Sequence, residues 1–169
     1  LRRMLKVGKW PTCWKLHWMV PLYKRKAVSN PENYRGVHLT SIVSKVMERA
    51  LKHVLSTYFL RSKAFGDTQF AFQPGLSCSD LIALLINTWI LNMNNRKKIG
   101  VYLGDISGAF DKVDRKRLLR KLQASGVNAT LLGFLSSYLD KRRAKVLVND
   151  SESDEFDIED MVYQGTVLG

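Results

Sequence analysis

The chain has 169 residues, 46% hydrophobic and 25% charged, with a net charge of +12, which suffices for one domain with a real core. No apolar run approaches the ~20 residues a membrane helix needs, and two isolated cysteines, Cys13 and Cys78, make neither a disulfide framework nor a zinc site. The excess charge sits early: residues 1–66 hold 14 Lys and Arg against Glu32 and Glu48, while residues 67–169 hold 13 of each sign. A basic N-terminal part points to a polyanion, nucleic acid ahead of an anionic membrane surface.

Residues 1–12 read as basic and irregular. Alternation from Trp14 to Val20 predicts a half-buried strand. Trp10, Trp14 and Trp18 also recur every four residues, as in a helix, but Pro11 and Pro21 at either end favour the strand. The stretch Pro21-Leu22-Tyr23-Lys24-Arg25-Lys26, a turn around Ser29-Asn30-Pro31, and Asn33-Tyr34-Arg35 together suggest a hairpin presenting four cations. A point-charge lysine beside a forked arginine suits a triphosphate, although a solvated basic loop is the plainer reading. From Thr40 to Phe59 paired apolar residues recur every four positions, which predicts a helix with one wide apolar face and Lys45, Glu48, Arg49 and Lys52 opposite. Arg61–Asp67 is expected to be a loop. His17, His38 and His53 read as surface or half-buried residues, not ligands.

Ser77-Cys78-Ser79-Asp80 reads as a capping box. The helix it opens, Leu81 to Met93, is apolar almost all round and is expected to lie buried under the sheet. Asn94–Lys98 is a polar turn. Ile99 to Leu103, bounded by Gly100 and Gly104, reads as a buried strand that delivers Asp105 at its end. A carboxylate there needs a partner. A divalent cation is one, while capping of the turn is the bland alternative. Asp114 reads as the N-cap of a helix from Arg115 to Gln123 that stops at Gly126. Asn128 opens another, with Leu131, Leu132, Leu135, Tyr138 and Leu139 inward and Lys141-Arg142-Arg143 at its end. Ala144–Val148 and Phe156–Val162 read as strands joined at Asn149-Asp150-Ser151, and the seven acids from Asp150 to Asp160 as a solvated edge.

The stretch Tyr102-Leu103-Gly104-Asp105-Ile106-Ser107-Gly108-Ala109-Phe110-Asp111 resembles motif A of reverse transcriptases from non-LTR (LINE-type) retrotransposons. Several further blocks fall in that family's order. Pro21-Leu22-Tyr23-Lys24 with Asn33-Tyr34-Arg35 and Leu39-Thr40-Ser41 resembles its fingers signature. Gln69-Phe70-Ala71-Phe72-Gln73-Pro74-Gly75-Leu76-Ser77 resembles a block that usually carries glycine at position 71 and arginine at position 73. Tyr163-Gln164-Gly165-Thr166-Val167-Leu168-Gly169 resembles motif B.

The resemblance implies an α+β right-hand polymerase fold, incomplete here, with helices packed on a small antiparallel sheet. Residues 1–98 would be fingers and connecting helices, and residues 99–169 a partial palm. It implies an RNA-directed DNA polymerase, a nucleotidyltransferase that extends a DNA primer with dNTPs on an RNA template by two-metal chemistry. Asp105 would be the catalytic metal ligand, helped by the backbone carbonyl of Ile106, with Mg2+ or Mn2+ as cofactor. Lys24, Arg35, Phe110, Gln164 and Gly165 would bind the nucleotide, with Phe110 excluding the ribose 2′-hydroxyl. Lys24, Arg25, Lys26 and Gln73 would contact nucleic acid, Gln73 without the usual cation. No adjacent pair of aspartates, the family's motif C, occurs in the sequence. The chain is therefore expected to be a fragment that does not polymerise alone. No membrane partner is implied. The expected location is nucleus or cytoplasm, within a retrotransposon ribonucleoprotein.

Three other readings stay open: a group II intron-type reverse transcriptase, a non-catalytic basic RNA- or DNA-binding module with structural carboxylates, and another magnesium phosphotransferase. The last would call for a phosphate-binding glycine loop, which the sequence lacks.

Overall fold

The structure, a computed structural model, describes residues 2–158 and 161–168. The chain packs as two units, residues 1–56 with 108–169 and residues 57–107.

The first unit is built on a mixed sheet. β1 (Leu16–Tyr23) and β2 (Tyr34–Leu39) form the predicted hairpin, with Trp18 opposite Leu39 and Tyr23 opposite Tyr34. β1 runs on through Pro21, where a boundary was expected. β3 (Arg142–Val148) pairs with β1 only from Leu16 to Met19, so Pro21 sits where no β3 ladder asks for its missing N–H. The pairing of β1 with β3 is parallel, which corrects the expectation of a purely antiparallel sheet. More than a hundred residues separate the two strands, ample for the crossover a parallel pair requires. β4 (Ser151–Glu152) and β5 (Phe156–Ile158) both lie antiparallel on the other edge of β3. Asn149 and Asp150 turn the chain there, both at positive φ (46° and 63°), as a primed two-residue hairpin loop requires. Glu159 and Asp160, in the predicted final strand, lie outside the described residues.

Alternation then sorts the sheet. His17, His38 and Ala144 are buried on one face, while Trp18, Leu39 and Lys145 share the other. The buried face meets α2 (Ile42–Arg61) and α5 (Ala129–Leu139). The core contains Trp10, Met47, Leu51, Phe134, Tyr138, Leu139, Ala144, Ile158 and Tyr163. Trp10 N–H donates to Ser137 Oγ at 2.9 Å, and its ring meets Phe134 and Tyr138 at 5.1 and 4.7 Å. The N-terminal stretch is not irregular. Arg2–Val7 is a short helix, α1, because Met4 and Leu5 pack against this core and Gly8, at φ +66°, ends the turn.

α4 (Arg115–Ala124) and α5 start where the sequence places them. The Asp114 and Asn128 side chains accept from the N–H groups of Arg117 and Leu131. Arg142 and Arg143, read as the tail of α5, belong instead to β3. α2 turns a different stripe inward from the one its apolar pairs suggest. Ser44, Met47, Glu48 and Leu51 are buried, whereas Ile42, Val43, Val46 and Val54 are exposed. The buried stripe combines the apolar Met47 and Leu51, which join the core, with Ser44 and Glu48, which are hydrogen-bonded.

The second unit corrects two expectations. α3 (Cys78–Asn94) forms with its predicted capping box: Ser77 N–H donates to Asp80 Oδ2 at 2.7 Å, and Asp80 N–H to Ser77 Oγ at 3.3 Å. Yet Ile82, Leu84, Leu85, Ile86 and Ile90 are exposed, because no second layer covers the helix within its own unit. Residues 99–103 form no strand, and Tyr102 and Leu103 are more than nine-tenths exposed. A strand exists only as half of a ladder, and none of the described pairings includes this stretch.

The inward stripe of α2 gives the first prediction. Leu51→Ala should cost about 2–5 kcal/mol in denaturant unfolding, while Val54→Ala, one turn along but exposed, should stay within about 0.5 kcal/mol. Equal costs would contradict this rotation of the helix.

Candidate functional site

The basic loop between β1 and β2 is built to be firm. The backbone N–H of Lys24 donates to Asn33 O at 2.8 Å, closing the hairpin. Three side chains bond loop carbonyls from within: Tyr23 to Lys26 O, Asn33 to Ala27 O and Tyr34 to Val28 O. Lys26 takes positive φ at 78°, and Asn30 caps the short 3-10 turn Pro31–Asn33. Lys24, Arg25, Lys26 and Arg35 are all exposed, and no ion pair among the described residues engages them. Elsewhere in the sheet the cations are spent: Arg143 pairs with Glu155 and Lys145 with Glu152. The acidic run is thus partly a set of counter-charges for β3, not only a solvated edge.

The Gln164–Gly165 turn lies against the free edge of β2. His38 N–H donates to Gln164 O at 2.8 Å. Gly165 has φ +98°, and a Cβ there would sit 2.9 Å from Val37 Cγ1 and 3.1 Å from His38 O, so only glycine fits. Val37 and Arg35 point to the same face of β2, one alternation apart, about 7 Å along the strand. The fold therefore brings Gly165 beside the strand that carries Arg35. Phe110 belongs to the same unit, half-buried, and its carbonyl accepts from Val162 N–H at 2.9 Å. Lys24, Arg25, Lys26, Arg35, Phe110, Gln164 and Gly165 thus share one packed unit.

Beneath the turn lies a polar frame that sequence reading missed. Tyr163 is wholly buried, and its hydroxyl donates to Leu139 O at 3.0 Å. His17 Nε2 and His38 Nδ1 share a hydrogen bond of 2.7 Å, and both rings meet the Tyr163 ring edge-on. Both histidines are buried, which corrects their reading as surface or half-buried. Burial pushes His17 down to about 3, with His38 and Arg142 adding to the effect. Burial and then Arg142 push His38 down to about 4, against an opposing pull from Asp111. Arg142, with no exposed surface, donates from Nε to Tyr138 O at 2.8 Å. Its guanidinium lies 4.4 Å and 4.8 Å from the Tyr138 and Tyr163 ring centroids, a cation over two aromatic faces. Glu48 accepts from Ser44 Oγ at 2.9 Å and from Val167 N–H at 2.8 Å. The alternation of β1 could have found His17, since it shares a face with Met19. Nothing local marks Arg142 or Glu48.

Asp105, Ile106 and Gln73 belong to the second unit. Asp105 and Ile106 are exposed and carry no strand, so the buried, rigid strand end expected for Asp105 is not what this unit builds. Among the described residues no group of three or more His, Cys, Asp or Glu could hold a metal ion. The Asp105 carboxylate and Ile106 carbonyl are nonetheless oxygen donors of the kind magnesium takes, and that ion binds through few protein oxygens plus substrate phosphates. The donor chemistry fits, with one protein carboxylate. Gln73 donates from Nε2 to Gln69 O at 2.6 Å, and Gln69 Nε2 to Ala71 O at 3.1 Å. The turn closes on itself, with Phe72 at φ +61° and pushed outward.

Comparison with known proteins bears on what this arrangement serves. Residues 23–169 match the family profile described as reverse transcriptase (RNA-dependent DNA polymerase). A probable RNA-directed DNA polymerase from transposon BS of Drosophila melanogaster is 30% identical over 167 residues, covering 98% of this chain and 18% of the relative. A probable RNA-directed DNA polymerase from transposon X-element of the same organism is 26% identical over the same length, again 98% of this chain and 18% of the relative. The chain therefore spans less than a fifth of the length of these two relatives.

The histidine pair makes stability depend on pH. Both folded values lie below the ordinary 6.5 of an unfolded histidine, so protons bind the unfolded chain first. The contribution is complete above pH ~6.5 and is lost as pH falls through 4 toward 3. Unfolding free energy should drop by roughly 3 kcal/mol or more over that window. His38→Asn, which keeps an acceptor for His17, should flatten the slope. An unchanged slope in denaturant titrations at stepped pH would refute the coupling.

Proposed function

Since this chain belongs to the reverse transcriptase (RNA-dependent DNA polymerase) family, we propose that it forms the nucleotide-handling part of an RNA-directed DNA polymerase of a non-LTR retrotransposon. RNA template, DNA primer and dNTPs are its partners in this reading. One observation carries it: the glycine turn at Gly165 is seated on β2, the strand that bears Arg35 and is joined to β1 by the loop of exposed cations. Two sequence blocks more than a hundred residues apart converge on that strand, and among the described residues no side-chain ion pair neutralises the cations.

In this reading Lys24 and Arg35 hold the triphosphate of the incoming nucleotide, the lysine as a point charge and the arginine as a fork. Gly165 lets the backbone come close to base or template, where a Cβ would intrude. Phe110 stacks under the sugar and leaves no room for a 2′-hydroxyl. Arg25, Lys26 and Gln73 follow the nucleic-acid backbone. The family uses divalent metal ions. Here Asp105 and the Ile106 carbonyl are the groups that would hold magnesium or manganese, which would supply charge stabilisation for an in-line displacement. The chain's own task is to place the nucleotide, orient its phosphates and select its sugar.

Two substitutions test the reading in a polymerase that contains this chain. Asp105→Asn keeps the shape and removes the charge. Primer extension should fall on the order of a thousandfold, with the melting temperature little changed because the side chain is exposed. Near-normal extension would sink the metal role. Phe110→Val should raise ribonucleotide incorporation relative to deoxynucleotide incorporation about tenfold or more, the scale at which a single contact discriminates. An unchanged ratio in an active enzyme would remove Phe110 from sugar selection.

A further inference from the structure

Gly165 allows the turn its conformation but does nothing to hold it there. A glycine at φ +98° has more open alternatives than any other residue, so a turn built on it is mobile unless anchored on both sides. The structure supplies the two anchors. Ahead of Gly165, the Gln164 carbonyl accepts from His38 N–H at 2.8 Å. Behind it, Val167 N–H donates to Glu48 Oε2 at 2.8 Å, across 119 residues of sequence.

Glu48 is an unusual anchor. It has no exposed surface, although α2 packs adequately through Met47 and Leu51 on the same stripe. Burying a carboxyl is costly unless its oxygens are used. Both are used here, since Ser44 Oγ donates to Oε1 at 2.9 Å one turn back along the helix. Ser44 is itself wholly buried, so Ser44 fixes Glu48 and Glu48 fixes the turn.

We infer that Glu48, oriented by Ser44, is a positioning residue that clamps the Gln164–Gly165 turn in the conformation that contacts the incoming nucleotide. The inference rests on the nucleotide role given to that turn above. It assigns to α2 a part in substrate placement that neither its sequence pattern nor its distance along the chain suggests. A preorganised turn spares the nucleotide the cost of ordering it on arrival, so the clamp acts on nucleotide affinity and not on primer–template binding.

The test uses a polymerase containing this chain, with primer extension at varied dNTP, primer–template binding, and amide exchange at Val167. Glu48→Leu should raise the dNTP KM about tenfold, the scale of a lost hydrogen bond to a charged group. The primer–template Kd should stay within about twofold, the precision at which uncoupled sites add. The Val167 amide should lose protection while amides of α5 and β1 keep theirs. Glu48→Gln can still accept from Val167 N–H and can donate to Ser44 Oγ, so it should restore KM and protection. A folded Glu48→Leu with unchanged KM overturns the inference, as does a Glu48→Gln as impaired as the leucine variant. If Glu48→Leu does not fold, Ser44→Ala carries the test: a KM raised about threefold with weakened Val167 protection supports the clamp, and no change in either overturns it. Gln164→Ala separates this idea from its premise. An unchanged KM there overturns the nucleotide role of the turn and the inference with it, whereas a raised KM there beside an unaffected Glu48→Leu overturns the inference alone.

Discussion

Tyr163 is the residue on which the first unit converges. Its ring is wholly buried, with His17 and His38 on the sheet side, Tyr138 on the α5 side and Arg142 above it. Its hydroxyl reaches the last carbonyl of α5, Leu139 O. Sheet and helix are thereby fixed to the segment that leads directly into Gln164 and Gly165. A glycine turn is usually among the softer parts of a fold. Here it grows out of the hardest part, and residues on either side of it are bonded to β2 and α2.

The polar character of this core is its notable physical feature. Arg142, Glu48, His17, His38, Thr40 and Ser44 are all buried. Each costs free energy unless its polar atoms are satisfied. The solutions differ and are not complete: aromatic faces and one bond from Nε for Arg142, a shared ring hydrogen bond for the histidines, a serine and a distant amide for Glu48. Arg142 Nη1 and Nη2 and Thr40 Oγ1 find no hydrogen-bond partner among the described residues. An apolar core of the same volume would stabilise the fold with less risk. What the polar core adds is direction, because a hydrogen bond fixes where a backbone lies while an apolar contact fixes only how close it lies. That suits the proposed role of this unit, which asks the turn to keep a fixed place on β2.

The second unit shows the opposite economy. α3 is well capped and richly apolar, and the segment ahead of Asp105 is apolar too, yet both are exposed. Local propensity and capping sufficed for the helix, which closes its hydrogen bonds internally. They could not suffice for the strand, whose hydrogen bonds must be closed by another segment.

The sequence by itself determined the elements whose hydrogen bonds are local. The caps at Ser77, Asp114 and Asn128, the turn of the β1–β2 hairpin around Asn30-Pro31, the glycine stop at Gly126 and the turn at Asn149-Asp150 were all legible, because each is decided by residues within a few positions of one another. The order of the motif blocks was legible too, and with it the family. Only the tertiary structure decided which polar residues are inside. Glu48 sits opposite the apolar pairs of α2 and Arg142 in a run of cations, so pattern places both in solvent. They are buried because their partners, Val167 and the rings of Tyr138 and Tyr163, come from other parts of the fold. A charge is buried where its partners converge, and that convergence is a property of the folded chain that no local window of sequence contains.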